Sequence, residues 1–404
     1  MKENKTPKWA KNDFSDLLAI GATHGLSDGF SGLLKPILVL IVLDMGLSTL
    51  QAGLILSLFS ITTFLFIFPL SLLADAGGRK KEILLIGLGT AAIAFFSMSW
   101  VGSFFALAIC VFFAGAGNAS FHPSGTALTT ERFPNNRPYA VSFYSMMGNA
   151  GASIIPFIQS LIAARAGWRT AISACALPAI ILLPLVARRF TSETRAEKRK
   201  SRKGLGSYFR KQLHFVRDKV LKNTEVVTLA GIYGLAGMGT GITTGFISIL
   251  AHSRFSLSTA TIGVAVSLYF LVGVFAKPLM GFLYSKLGAR GALVLPLFMS
   301  AIFSVCLAIV PWQAAFIPLL ILLGISSPIS PIILTAAADR SDKDAMASSI
   351  GLIYTCYGLS FVSTFLGGWL AELYSIEMSY ILAAILLLVG ARVVFFLPKR
   401  DGVK

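Results

Sequence analysis

The chain has 404 residues, 55% of them hydrophobic and only 13% charged, with a mean hydropathy of +0.76. A soluble domain carries nearly twice that share of charge, about 25%, so the composition excludes a soluble enzyme and marks a polytopic membrane protein. The net charge of +17 invites a nucleic-acid partner, but thirteen lysines and arginines lie between Arg188 and Lys222 and most others flank apolar runs, which is the pattern of positive-inside topology.

The opening MKENKTPKWAKND is basic and polar, and the apolar run after it is too long for the core of a signal peptide, so none is expected. That first run, 17–43, holds the one carboxylate in the middle of an apolar span, Asp28. An Asp near the midplane costs about 2.5 to 3.5 kcal/mol, so such groups face a cavity or a partner and mark ion or substrate paths. At about 100° per residue, His24, Asp28, Ser31 and Lys35 share one helix face, a stripe expected of a transporter. Lys35, two turns beyond Asp28, either neutralises it as an ion pair or binds an anion from the outer side.

Further runs long enough to span a bilayer fall at 50–74, 82–101, 104–129, 139–163 and 167–187. The fourth holds His122 before Pro123, at a depth similar to His24; the proline is a possible kink in its own right. A basic connector, 188–224, follows. Within it Phe209, Leu213, Val216 and Val220 recur at helical spacing, as in an amphipathic helix on the membrane surface or a solvated tether. The runs resume at 226–251, 260–284, 290–310, 313–337, 346–371 and 376–397. The organisation read from this is a six-helix bundle over 1–187, the connector over 188–224 and a second six-helix bundle over 225–404. Both termini are expected inside, since the opposite orientation puts the basic connector outside.

The second set of runs offers uncharged polar groups at cavity depth: Tyr233, Thr240, Thr243 and Thr244, then Ser326, Ser327 and Ser330 beside Pro328 and Pro331. Of these, Tyr233, Thr240, Thr244, Ser327 and Ser330 are candidate substrate contacts, with Lys35. Lys277 precedes Pro278, where its long stem can snorkel to the inner surface. His252, beside Arg254, reads as interfacial. Two stretches repeat: LSTLQAGLILSLF (47–59) aligns with LSTATIGVAVSLY (257–269) at an offset of 210, and PSGTALTTER (123–132) parallels PIILTAAADR (331–340). The four cysteines lie in apolar runs without metal spacing, and no nucleophile–base set or phosphate loop appears. GLAGMGTG (234–241) lies inside a membrane run with no strand before it, and its glycines suit close helix packing. Neither enzyme activity nor a cofactor or metal is expected.

The second run ends in SLLADAGGRKKEI (71–83), which resembles the signature loop of the major facilitator superfamily, G-x-L-A-D-R-x-G-R-K-x-x-L. Leu73, Ala74, Asp75, Gly78, Arg79 and Lys80 match; Ser71 and Ala76 depart from the pattern, and the equivalent loop GFLYSKLGARGAL (281–293) has Ser285 in place of the Asp. The resemblance implies an all-α membrane protein of twelve transmembrane helices in two pseudo-symmetric bundles. It also implies a gate at Asp75, Gly78, Arg79 and Lys80, where the Asp meets the positive end of the eleventh helix. THGLSD and NASFHPSGT further resemble the fosmidomycin-resistance type of exporter. In this superfamily the first, fourth, seventh and tenth helices line the cavity, which implies that His24, Asp28 and His122 converge as proton-coupling groups.

The expected function is secondary active transport, with proton-coupled export of a small organic molecule foremost. Uptake of a small anion or sugar by symport or uniport, and a non-transporting receptor or lipid-handling role, are the alternatives. The expected partners are a small-molecule substrate, protons and the lipid bilayer of a cell membrane. No nucleic acid is expected, and the working unit is expected to be a monomer.

Overall fold

The computed structural model describes residues 13–77, 80–133, 137–189, 216–341 and 345–398, and all regular structure among them is helical. Helix α1 is Asp13–Gly32 followed by Leu34–Met45, bent by 41°. Its bend has a local cause: Pro36 has no N–H to give the preceding turn. Next come α2 (Thr49–Gly77), α3 (Lys80–Ser97) and α4, which is broken into Phe104–Ala119 and Phe121–Arg132. The run Arg137–Arg189 has 53 residues, about 80 Å if straight, more than twice the apolar thickness of a bilayer. Gly167, at φ 77°, breaks it into α5 and α6.

The second bundle repeats the scheme. Helix α7 is Thr224–Gly245 with Ile247–Phe255. The run Thr259–Ile309 is divided by Gly288, at φ 63°, into α8 and α9. Helix α10 is Phe316–Ser326 with Ser330–Ala338, α11 is Met346–Tyr357 with Ser360–Leu373, and α12 is Ile376–Val393. Only glycine holds such positive φ without strain, so Gly167 and Gly288 are the positions where the two long runs can turn. Among the described residues the helices α1–α12 form two sets of six, consistent with twelve crossings, and α1 starts on the face where α12 ends.

Burial runs opposite to that of a soluble protein. Phe105, Ile109, Ile181, Phe275 and Trp312 point outward, while Thr23, Ser27, Asn118, Gln159 and Thr243 are buried. The outer shell is therefore chemically suited to lipid.

The repeated sequence builds repeated structure. Ser48 and Ser258 cap α2 and α8 in the same way, each hydroxyl accepting from the backbone N–H three residues on, at Gln51 and Thr261. Gly53 lets α2 close on α11, where a β-carbon would lie 2.8 Å from the Cα of Gly368. Its counterpart Gly263 lets α8 close on α5, where a β-carbon would lie 1.9 Å from that of Ser160. Each contact joins the two bundles.

Hydrogen bonds between the bundles run from the face opposite the termini down to mid-depth. Thr49 donates to Glu372 at 2.7 Å, Ser57 and Thr364 meet at 2.9 Å, Lys35 donates to Thr244 at 3.2 Å and Lys277 donates to Asn149 at 2.9 Å. At the face that carries the termini each bundle ties its own helix ends. Arg132 of α4 pairs with Asp16 of α1 at 2.6 Å, and Arg340, just after α10, pairs with Glu225 of α7 at 2.9 Å. The described bonds thus seal the face away from the termini.

Of the connector, only its last part is described. Val216–Leu221 forms one π-helical turn, with Val220 fully buried against Val226 and Ala345. The connector's end is therefore docked on the second bundle, while Phe209 and Leu213 lie outside the described residues.

Candidate functional site

Asp28 and His24 meet as the stripe on α1 requires, with His24 Nε2 3.3 Å from Asp28 Oδ2. The other ring nitrogen, Nδ1, lies 2.7 Å from the backbone carbonyl of Tyr144 on α5. The imidazole is stacked on Tyr144, centroids 3.8 Å apart, and lies 5.7 Å from Phe121 of α4. Close helix approach makes this possible. Gly21, Gly25 and Gly29 face Met147, Gly151 and Ile155 of α5, and a β-carbon on Gly151 would sit 1.8 Å from the Gly25 carbonyl. Small residues at four-residue spacing allow such contact. Gly148 completes the cradle, since a β-carbon there would meet Asp28 Oδ2 at 2.5 Å and His24 Cε1 at 2.6 Å. Further along α1, Ser27 and Ser31 both donate to Asn118 of α4, at 3.1 and 3.4 Å.

One residue beyond Gly148, Asn149 opens onto a cavity of about 240 Å³. Tyr233, Thr240, Ser327 and Ser330, all expected substrate contacts, line it together with Tyr269, Phe270, Lys277 and Tyr357. Tyr233 and Tyr357 stack at 4.6 Å. Ser330 is within hydrogen-bonding reach of Tyr233, and Ser327 of Tyr269. The serines are available because α10 is interrupted between Ser326 and Ser330, where Pro328 and Pro331 supply no backbone donor.

Two of the expected contacts lie elsewhere. Lys35 donates to Thr244 and stands 5.5 Å over the Phe270 ring, so both are one ring removed from the cavity. Among the described contacts Lys35 meets Thr244, while Asp28 meets His24. Lys277 also departs from expectation. Its ammonium does not reach the surface but turns inward to Asn149, close enough to Asp28 to feel its charge. The neutral amide on α5 gives that amine a polar partner at mid-depth, which removes the reason to snorkel.

Asp75 lies in the last turn of α2, but its side chain, the His122 side chain, Gly78 and Arg79 fall outside the described residues; Lys80 opens α3. The expected gate and the convergence of His122 on the pair are thus left as expectations. Residue-type reasoning passed over Tyr144, Gly148, Asn118 and Asn149. The two asparagines carried a usable signal, since an amide inside an apolar run needs a partner; a backbone carbonyl and a glycine's empty side carry none.

Known proteins resemble the chain at three levels. The family model described as Major Facilitator Superfamily matches residues 20–233 and 229–404. The Uncharacterized MFS-type transporter YfnC of Bacillus subtilis (strain 168) is 26% identical over 208 residues, 50% of this chain and 50% of that protein. The Fosmidomycin resistance protein of Escherichia coli (strain K12) is 26% identical over 202 residues, 47% of each. The chain thus spans about half the length of the curated relatives it matches. Among solved structures, a bacterial homolog to the human lysosomal transporter Spinster, inward-facing and unoccupied, superposes with a TM-score of 0.81 at 14% identity, covering 96% of this chain and 98% of that one. A mutant of the nucleoside transporter NupG gives 0.79 at 14% identity, over 95% and 100%; at such identities the likeness shows the fold alone. Because the family model matches residues in both bundles, the chain belongs to the Major Facilitator Superfamily.

Proposed function

We propose that the protein is a proton-coupled exporter of a small organic molecule, working by alternating access with His24 and Asp28 as its proton site. The supporting observation is the 2.7 Å contact between His24 Nδ1 and the Tyr144 carbonyl. A carbonyl oxygen only accepts, so Nδ1 carries a proton. Nε2 then faces Asp28 Oδ2 at 3.3 Å, a distance at which a nitrogen lone pair and a carboxylate repel. A proton between them resolves the conflict, whether written as imidazolium with carboxylate or as imidazole with carboxylic acid. Its departure sets two negative electron clouds against each other inside a tight cradle, which favours a change in helix packing. Proton loss is thereby linked to conformation.

Gly148, against the pair, and Asn149, in the cavity wall, are adjacent on α5, so a shift of α5 would be felt by both. The name of the Escherichia coli relative supports export as the direction. The basic connector supports cytoplasmic termini in a cell membrane, with bundle boundaries at 1–187 and 225–404.

The proton site can be tested before any substrate is identified. Infrared difference spectra across a pH titration of the purified protein should show a pH-dependent Asp28 band, from a protonated carboxyl or from a carboxylate facing imidazolium, that vanishes in Asp28→Asn. A substrate screen in liposomes with an imposed pH gradient then reads coupling. A missing Asp28 band, together with flux indifferent to the gradient, would discard the proton site.

A further inference from the structure

We propose that the cavity binds a small organic anion with a flat apolar body, and that Lys277 takes its acidic group. The inference deepens the transport reading by naming the chemical class of the cargo. An ammonium has three donors, and among the described residues that of Lys277 has a single hydrogen-bond acceptor, the neutral Oδ1 of Asn149 at 2.9 Å. It joins no ion pair there. Asp28 lies near enough to act on it electrostatically but is paired with His24. A cation at this depth with one neutral partner is under-compensated, and an anionic ligand supplies what is missing.

The surroundings define the rest of the ligand. The half-helix Ser330–Ala338 begins at the cavity, with Ile329 and Ser330 in its wall, and the N-terminal end of a helix favours negative charge. Two independent features, an ammonium and a helix end, therefore share one sign. Tyr233 and Tyr357, stacked at 4.6 Å, and Phe270 offer faces to a planar apolar body. Ser327 and Ser330, also in the cavity wall, can bond polar substituents of the ligand. The volume, about 240 Å³, falls just below the usual range of about 300 to 1,000 Å³ for ligand pockets, which selects small molecules. A cationic or bulky cargo is disfavoured on both counts.

The test uses the full chain in detergent at neutral pH with three matched probes at millimolar concentration: 4-hydroxybenzoate, 4-hydroxybenzamide and 4-hydroxybenzylamine. Binding is read as thermal stabilisation and by calorimetry. The acid is expected to bind at least about tenfold more tightly than the amide or the amine, a difference of about 1.4 kcal/mol. Lys277→Met should abolish that preference and Lys277→Arg should keep it. Asn149→Asp, which sets a carboxylate against the ammonium, should also abolish it. If Lys277→Met does not elute as folded protein, the Arg and Asp variants carry the comparison. Equal binding of the amide, undiminished acid binding in Asn149→Asp or Lys277→Met, or no acid binding by the wild type would overturn the assignment. No gradient is present, so this failure is distinct from a failure of proton coupling.

Discussion

The two bundles share a frame and differ in what the frame holds. Ser48 and Ser258 cap equivalent helices, Gly53 and Gly263 make equivalent close contacts, and Arg132 and Arg340 close equivalent helix ends onto carboxylates. At mid-depth the likeness stops. The first bundle places a histidine against a carboxylate under a stacked tyrosine. The second places tyrosines, serines and one lysine around an open volume. Residues that set helix ends and helix spacing have kept their character in both copies. Residues facing the centre have diverged, because the backbone positions that support them do not depend on their chemistry. On the proposed reading, proton handling falls to one bundle and most of the cargo's contacts to the other.

The largest test of that division is Asp28→Asn, which keeps shape and hydrogen bonding but removes titration. Accumulation driven by a pH gradient should fall to background in liposomes, while equilibrium exchange of substrate persists. His24→Ala should give a milder defect and displace the pH optimum. A wild-type response to the gradient in the Asn variant would leave no titratable role in the first bundle and dissolve the contrast.

The arginine clamps ask whether the shared frame is equally strong in both copies. The Arg340 side chain is 3% exposed and that of Arg132 is 37% exposed. Removing one partner of a buried pair costs about 3 to 5 kcal/mol, because the other charge is left uncompensated, whereas a cation partly in solvent, as Arg132 is beside the buried Asp13 and Asp16, is screened and contributes less. Arg340→Ala should therefore destabilise the protein much more than Arg132→Ala in chemical unfolding from mixed micelles. The reverse order would show that Asp13 and Asp16, both near Arg132, make the first clamp the stronger one.

Much of this was readable in the residues. The twelve runs follow from apolar length, and the His24–Asp28 pair from a four-residue spacing on one helix. The repeated LST motif pointed to duplication before any contact was known. Three things were not readable. The Tyr144 carbonyl that sets the His24 tautomer is a backbone atom, and no residue type announces it. Gly148 matters for the side chain it lacks, which becomes meaningful only when α1 is in place. Lys277 has a stem long enough to reach either the surface or the interior, and Asn149, on a helix 128 positions away in sequence, decides between them.

Gly148→Ala probes the cradle that sequence reasoning passed over. A β-carbon at 2.5 Å from Asp28 Oδ2 and 2.6 Å from His24 Cε1 forces the pair or α5 to move, and such overpacking typically costs about 1 to 3 kcal/mol. The expected outcome is a moderate loss of stability together with an altered proton response. Gly281→Ala in the second bundle, where nothing lies within 4 Å of an added β-carbon, should be tolerated. If Gly148→Ala leaves both stability and pH response unchanged, the pair is looser than its described contacts and its link to α5 is lost.

The smallest expected effect comes from a pair of serines at the same position of the repeat. Ser57 and Ser267 are related by the offset of 210, yet only the first has found a use for its hydroxyl. Ser57 meets Thr364 of the other bundle at 2.9 Å. The Ser267 oxygen is buried without a hydrogen-bond partner among the described residues. A net hydrogen bond is worth about 0.5 to 1.5 kcal/mol, while a buried hydroxyl left unsatisfied costs about 1 to 3 kcal/mol. Thr364 keeps its bonds to the Ser360 and Phe361 carbonyls when Ser57 is removed, so Ser57→Ala should lie near the low end, about 0.5 kcal/mol, with a slightly looser seal between α2 and α11. Ser267→Ala should cost nothing or stabilise, because it removes a polar atom that folding desolvates without return. Unfolding midpoints of the two variants in one detergent settle the sign. A larger loss from Ser267→Ala than from Ser57→Ala would mean that the second copy's hydroxyl is used in another state of the transport cycle, and that the bundles are more alike in motion than in this conformation.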